Sequence, residues 1–161
     1  MKWKIINFIE TTRHKAWVAW YLFKACLALM QRACLHDPSK YSHQEAAYFE
    51  QALPALRNLE YGSDEYKAAL DSIKPAIEHH YRANSHHPEH YKCGLAEMSP
   101  LDLVEMLCDW RAATRRHASG NLVKSIDINT SRFLYSNLTR AGFVRDALEM
   151  GLIGPEDILP E

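Results

Sequence analysis

His36 and Asp37 stand side by side and are followed at once by Pro38, Ser39 and Lys40. Imidazole and carboxylate together suit a transition-metal ion, and a lysine nearby suits a phosphate oxygen. Neighbours on a regular helix point about 100° apart, so the pair converges on one ion only where the backbone turns. Pro38 supplies such a disruption, because it lacks an N–H and disfavours the α region for Asp37. By itself the pair reads equally well as a loop with a helix cap. Its company argues for more. His14 lies upstream, His79, His80, His86, His87 and His90 crowd one segment, and Asp109 follows.

The elements that must position these residues read as helices. A long helix is predicted over about 13–34, buried on most sides, with His14 on one stripe with Val18, Tyr21, Ala25 and Leu29. His14 is therefore expected to point inward, as a ligand or as a hydrogen-bonded core histidine. The apolar run from Trp17 to Met30 contains Lys24 and spans 14 residues, against about 20 for a membrane span. No small-residue cleavage site follows it, so neither a span nor a signal peptide is expected.

Ser42-x-x-Glu45 has the form of a capping box, which predicts a helix over about 43–53 closed by Pro54. Lys40 then lies just outside a helix start, either facing a phosphate or exposed. Residues 57–63 read as a loop punctuated by Gly62, with Ser63 as the next N-cap. Helical periodicity runs through Tyr66, Ala69, Leu70, Ile73, Ile77 and His80, and Pro75 must kink or split it. If the phase survives, His80, Asn84 and His87 continue the apolar stripe, with His79 and His86 on its flank. Five histidines in the twelve residues from 79 to 90 read as an inward cluster or as a solvated patch.

Ser99, Pro100 and Asp102 announce a further helix whose apolar face holds Leu103, Val104, Leu107 and Trp110. Asp109 falls on its polar face with Asp102, Glu105 and Arg116, a face that meets water unless it lines a cleft. Asn129 or Thr130 would cap a helix to about 141, Gly142 and Gly151 would bracket a short element, and 154–161 reads as an acidic tail. No strand-like alternation persists. The expectation is an all-α fold, a single compact helical domain over 1–161, with a metal-site core over about 14–117.

Composition narrows the partners. Hydrophobic content of 47%, charged content of 24% and a net charge of −1 describe a globular chain without an overall basic field. Long nucleic acid and membrane surfaces are therefore not expected, and a small anion fits better. Cys26, Cys34, Cys93 and Cys108 are too scattered for a zinc module or a disulfide scaffold, which suits a reducing, cytoplasmic setting. A homo-oligomer stays open.

Taken in order, His14, His36-Asp37 with Lys40, His80, His86-His87 and Asp109 on a helical chain resemble the HD-domain metal-dependent phosphohydrolase superfamily. The chain is also similar to a group of small phage and bacterial proteins with such a His-rich segment. The resemblance spans roughly 14–109. It implies a divalent metal held by a histidine, a His-Asp doublet and a distant aspartate, and the later histidines look most like members with two metals. One departure stands out. On one helix His80 and His87 would lie about 10.5 Å apart, so either the helix breaks near Ser85 or some histidines serve the substrate. One ion is expected, with a second left open.

The donor set favours Mn, Fe, Co, Ni or Zn. A bound ion brings the pKa of its water toward neutrality, so no protein nucleophile is required. No Gly-x-Ser-x-Gly elbow or P-loop suggests another route. Asp37 and Lys40 are the expected catalytic residues. Lys40, His79, Arg82 and Asn84 are the candidates for holding a small phosphorylated substrate, with a nucleotide foremost. Tyr41, Tyr81 and Tyr91 would either stack a base or pack in the core. Two other classes remain: a di-iron oxygenase of the same fold, and a non-catalytic binding protein.

Overall fold

The computed structural model describes residues 2–59, 63–116 and 120–158. Seven α-helices occupy them: α1 (Lys2–Cys34), α2 (Ala46–Leu56), α3 (Asp64–Ser72), α4 (Lys74–Ala83), α5 (Pro100–Thr114), α6 (Leu122–Phe133) and α7 (Asn137–Glu149). Single 3-10 turns lie at Pro38–Tyr41, Pro88–His90, Gly94–Glu97 and Pro155–Asp157, and no strand occurs among the described residues. The all-α expectation holds. Internal contacts divide the chain into two units, Met1–His36 and Asp37–Glu161, so the boundary falls inside the His36-Asp37 doublet.

The first unit is essentially α1. It starts far upstream of the expected residue 13, and from Trp3 to Cys34 its side chains are exposed except at Ala28, Leu29 and Arg32, which are half-buried. This corrects the expectation of a helix buried on most sides. The stripe of apolar residues is real, but between Trp17 and Met30 nearly every face of α1 is apolar, so no single stripe there is singled out for burial. His14 is exposed with the rest, contrary to the inward position expected of it. By length and composition α1 is also more span-like than its central run implied. Within Trp3–Tyr41 an 18-residue window reaches a mean hydropathy of 1.2 with none of it buried.

In the second unit Ser63 caps α3 by accepting from the Tyr66 N–H. Pro75 splits the predicted run into α3 and α4 and sits in the first turn of α4, where no N–H is missed. The capping box at Ser42 does not form. α2 begins at Ala46, and Glu45, at its N-cap, makes no side-chain cap. Pro54 lies inside α2 rather than closing it. It stands in the last turn, where the helix is about to end.

Ser99 and Asp102 do form a capping box at the start of α5. α6 starts at Leu122 because Asn121 accepts from the Val123 and Lys124 N–H groups, so Asn129 and Thr130 lie within the helix instead of capping it. Gly142 lies inside α7, and Gly151 follows that helix at φ +67°, a left-handed conformation that suits glycine. The expected loop signal at Gly62 and the end of the acidic tail lie outside the described residues.

Two apolar clusters hold the second unit. Met106, Leu107, Leu122, Ile126, Phe143 and Ala147 knit α5, α6 and α7, and Ala52, Leu56 and Ile73 join α2 to the α3–α4 junction. Each large side chain so buried contributes about 1.5–3 kcal/mol. α4 and α5, joined by the segment 84–99, carry the polar residues of interest.

Candidate metal centre

Asp37 opens the site with an unusual backbone. Its φ of 52° and ψ of 37° are left-handed, a conformation that costs about 1–3 kcal/mol away from glycine and that aspartate tolerates better than most residues. Pro38, which bars the right-handed region to its predecessor, then starts a 3-10 turn through Tyr41. Asp37 is 7% exposed, and Lys40 in that turn reaches back to its Oδ2 at 2.5 Å.

The histidine segment solves its spacing by ending a helix. α4 stops at Ala83, and Asn84 is extended at φ −124°, ψ 112°. The chain therefore turns back, and the Nε2 atoms of His80 and His87 lie 2.9 Å apart instead of seven helical residues apart. The break comes one residue before Ser85. His86, expected on the flank, is buried at 2% exposure, and His80 at 4%. His86 faces the Asp37 carboxylate through Nε2 at 3.3 Å and Glu105 through Nδ1 at 3.3 Å. His80 Nε2 is 3.4 Å from the same Asp37 oxygen.

Asp37, His80, His86 and His87 each place a ligand atom within 4.8 Å of the others. Their ionisation suits a cation. Burial pushes the Asp37 carboxyl up, but hydrogen bonds from His86 and Lys40 outweigh it and hold the group well below the usual carboxylate range. Burial, then the neighbouring His86 and His80, bring His87 down to about 3. Burial also lowers His80. At neutral pH this gives a carboxylate beside the uncharged imidazoles of His80 and His87, the forms that bind metal.

Asp109 completes the acidic side. It is half-buried, its carboxylate comes within 4.8 Å of that of Asp37, and its charge opposes the lowering at His87. The polar face of α5 is thus partly buried against the histidine segment within the second unit. His36, half-buried, is the last residue of the first unit, and His14 belongs to no group of converging ligand atoms among the described residues.

Two expected substrate residues are otherwise engaged, and a third faces away. Asn84 is buried, and its amide donates to Ser39 Oγ and to the His80 carbonyl, both at 2.8 Å. His79 is bound through Nδ1 to Glu45 at 2.6 Å. Arg82 is exposed, two residues and so about 200° around α4 from His80. Among the tyrosines, Tyr91 donates to Asp102, Tyr81 is joined to Arg132, and Tyr41 stands 90% exposed.

Sequence reasoning missed Glu45 and Ser39 around His80, and gave Glu105 no part. Glu45 is fully buried, and its Oε2 lies 3.0 Å from His80 Nδ1. Its signal was present in the pattern but pointed to a capping box. Asp102 is a second buried hub, accepting from Ser85 Oγ at 2.7 Å, Tyr91 Oη at 2.9 Å and the Ser99 N–H at 2.9 Å. It fixes both ends of the loop that carries His86 and His87.

A family described as "Family of unknown function (DUF5662)" matches residues 4–150, and the chain belongs to it. No curated protein and no solved structure matches the chain.

Proposed function

We propose that this member of the family is a metal-dependent phosphohydrolase acting on a small phosphorylated molecule, with a nucleotide the foremost candidate. The observation that supports it is the buried group of one carboxylate and three imidazoles, Asp37, His80, His86 and His87, with converging ligand atoms. Such a set fits Mn, Fe, Co, Ni or Zn better than Mg, which prefers oxygen ligands. When bound, the ion would lower the pKa of a water and polarise a phosphoryl oxygen.

The chain's own residues supply the rest. Asp37 and the histidines hold the ion, and Asp109 adds negative charge at the edge of the set. Lys40, whose side chain is 35% exposed beside Asp37, can reach solvent and present its ammonium to a phosphate. With Arg82 on the far side of α4 and Asn84 engaged, Lys40 carries the anion-binding role.

The test is elemental analysis of the purified protein, followed by a screen of nucleoside mono-, di- and triphosphates and cyclic nucleotides with each metal restored to stripped protein. Metal-dependent release of phosphate or nucleoside supports the reading. Lys40→Met should keep the metal and lower turnover about 10–100-fold, the loss of one charged hydrogen bond. A protein that binds no transition metal, or one that binds it and hydrolyses none of these substrates, overturns it.

A further inference from the structure

Glu45 reaches two imidazoles at once. Its Oε1 lies 2.6 Å from His79 Nδ1 and its Oε2 lies 3.0 Å from His80 Nδ1. The carboxylate is fully buried at the N-terminal edge of α2, where its sequence position suits a capping box that it does not make. An accepting oxygen at each Nδ1 calls for a proton on each Nδ1.

Neighbours at both nitrogens argue the other way. At Nε2 the competing Asp37 oxygen stands farther off, 3.4 Å against 3.0 Å for Glu45 at Nδ1, and His87 Nε2 at 2.9 Å can itself be the donor. Asn84 Nδ2 lies 3.1 Å from His80 Nδ1 and could donate to it, which would favour the proton on Nε2. However, that amide has two hydrogens and two nearer acceptors, Ser39 Oγ and the His80 carbonyl at 2.8 Å each. Glu45 is then left as the partner of Nδ1. Ser39 Oγ, 3.2 Å from the same nitrogen, is the weaker competitor.

We infer that Glu45 is a positioning residue: it holds His80 as the Nδ1–H tautomer, so that the Nε2 lone pair is turned toward Asp37, His86 and His87 and is ready for a metal ion. This rests on the metal centre proposed above and assigns a part that the ligand set alone does not. The consequence is local and directional. Nε2 of His80 lies 3.4 Å from Asp37 Oδ1 and 2.9 Å from His87 Nε2, and a proton on it would occupy the space between them. Carboxylate partners of this kind typically contribute about 10–100-fold to metal affinity.

The first measurement needs no variant. Long-range 1H–15N spectra of the metal-free full chain report which nitrogen of His80 carries the proton. The inference expects Nδ1–H, and a dominant Nε2–H form overturns it whatever the metal does. The second measurement uses Glu45→Leu, which removes both acceptor oxygens while filling similar volume. Titration with Co2+ alone should show affinity reduced about 10–100-fold, together with loss of the Nδ1–H preference at His80. Unchanged affinity and an unchanged tautomer in a folded Glu45→Leu protein overturn the inference. Hydrolytic activity plays no part in either readout. A wild-type protein that binds Co2+ and holds the Nδ1–H form but cleaves no phosphoester would remove the phosphohydrolase reading and leave this role for Glu45 in place.

Discussion

On α1, Trp20, Leu22, Phe23 and Leu27 are exposed, while in the second unit Glu45, Asp37, His80 and His86 are buried. The usual assignment of apolar groups to the interior and ionisable groups to the surface is reversed in both places. The two reversals differ in how local they are. The buried groups around the histidines have identified partners: Glu45 has two histidines, Asp37 has Lys40 and His86, Asp102 has two serines and a tyrosine, whereas the buried amide of Asn129 on α6 makes no side-chain hydrogen bond among the described residues. Burial of a polar group is costly unless it is so paired. An exposed leucine carries no comparable obligation, since much of any folded surface is apolar. Substitutions in the two regions should therefore differ sharply in cost.

The largest effect is expected at Asp37. Asn retains tolerance of the left-handed backbone that a β-branched residue would lack, so Asp37→Asn should remain folded. It removes the one carboxylate of the buried four-residue set. Affinity for Co2+ or Mn2+ should fall more than about 100-fold, exceeding the loss typical of a residue one step removed from the ion. Titration calorimetry checks it, with far-ultraviolet circular dichroism confirming the helices. Affinity within a factor of ten of wild type would separate Asp37 from the metal.

Next is Asp102, where the contrast can be broken without touching a ligand. Its carboxylate accepts from Ser85, Tyr91 and Ser99, and these bonds, with burial opposing them, hold its pKa below the usual range. Asp102→Ala leaves several donors unanswered and should cost about 3 kcal/mol in urea unfolding. The His86-His87 loop is anchored through Ser85 and Tyr91 on either side, so metal affinity should fall as well. A change below about 1 kcal/mol would mean that the loop is held by other contacts.

How much of this was legible in the sequence depends on the range of the interaction that decides each feature. Ser63 and Ser99 were readable as caps, and Pro75 as a split, because their partners lie within three residues or in the proline ring itself. His80 was placed inward correctly, because Ile73 and Ile77 set the phase of its helix. The rest turned on distant partners. Ser42-x-x-Glu45 has the spacing of a box, yet the carboxylate is taken by histidines 34 and 35 residues away. Asn84 gives no strong breaking signal, and its extended backbone accompanies an amide bonded to Ser39, 45 residues back. For Asp109 the sequence offers only a position on the helical wheel, and whether a polar face meets water or the rest of the fold is a tertiary fact. On α1 the apolar spacing was visible, but periodicity says only what could be buried.

The acid response sharpens the same contrast. His87 has a folded-state pKa of about 3, below the value near 6.5 expected of an unfolded chain. Between those values the unfolded protein binds the extra proton, so stability from this group is present above about pH 6.5 and is lost as the pH falls toward 3. The lowered His80 acts in the same direction. Asp37 adds to the loss only in stronger acid, as its own carboxylate is protonated. For metal-free protein, unfolding free energies measured in urea from pH 7 to pH 4 should fall, with a slope of up to about 1.4 kcal/mol per pH unit from each titrating group. His87→Asn should flatten that curve. An unchanged slope in the variant would mean that His87 is not held uncharged in the fold.

The smallest effect is expected on α1, at Leu22. Its side chain is 62% exposed, so replacing it with glutamine removes little buried area and strands no polar group. Glutamine is also nearly as good a helix former as leucine, so propensity changes by only a few tenths of a kcal/mol. Leu22→Gln should therefore change the unfolding free energy measured in urea by no more than about 0.5 kcal/mol, the range of ordinary surface substitutions. It should leave Co2+ affinity at the buried histidines unchanged. The comparison with Asp102 is informative because the chemistry runs against intuition: an apolar-to-polar change on a long apolar helix costs less than deleting one carboxylate. A loss of 2 kcal/mol or more at Leu22 would show that this face of α1 is covered in solution, and the contrast between the two regions would then collapse.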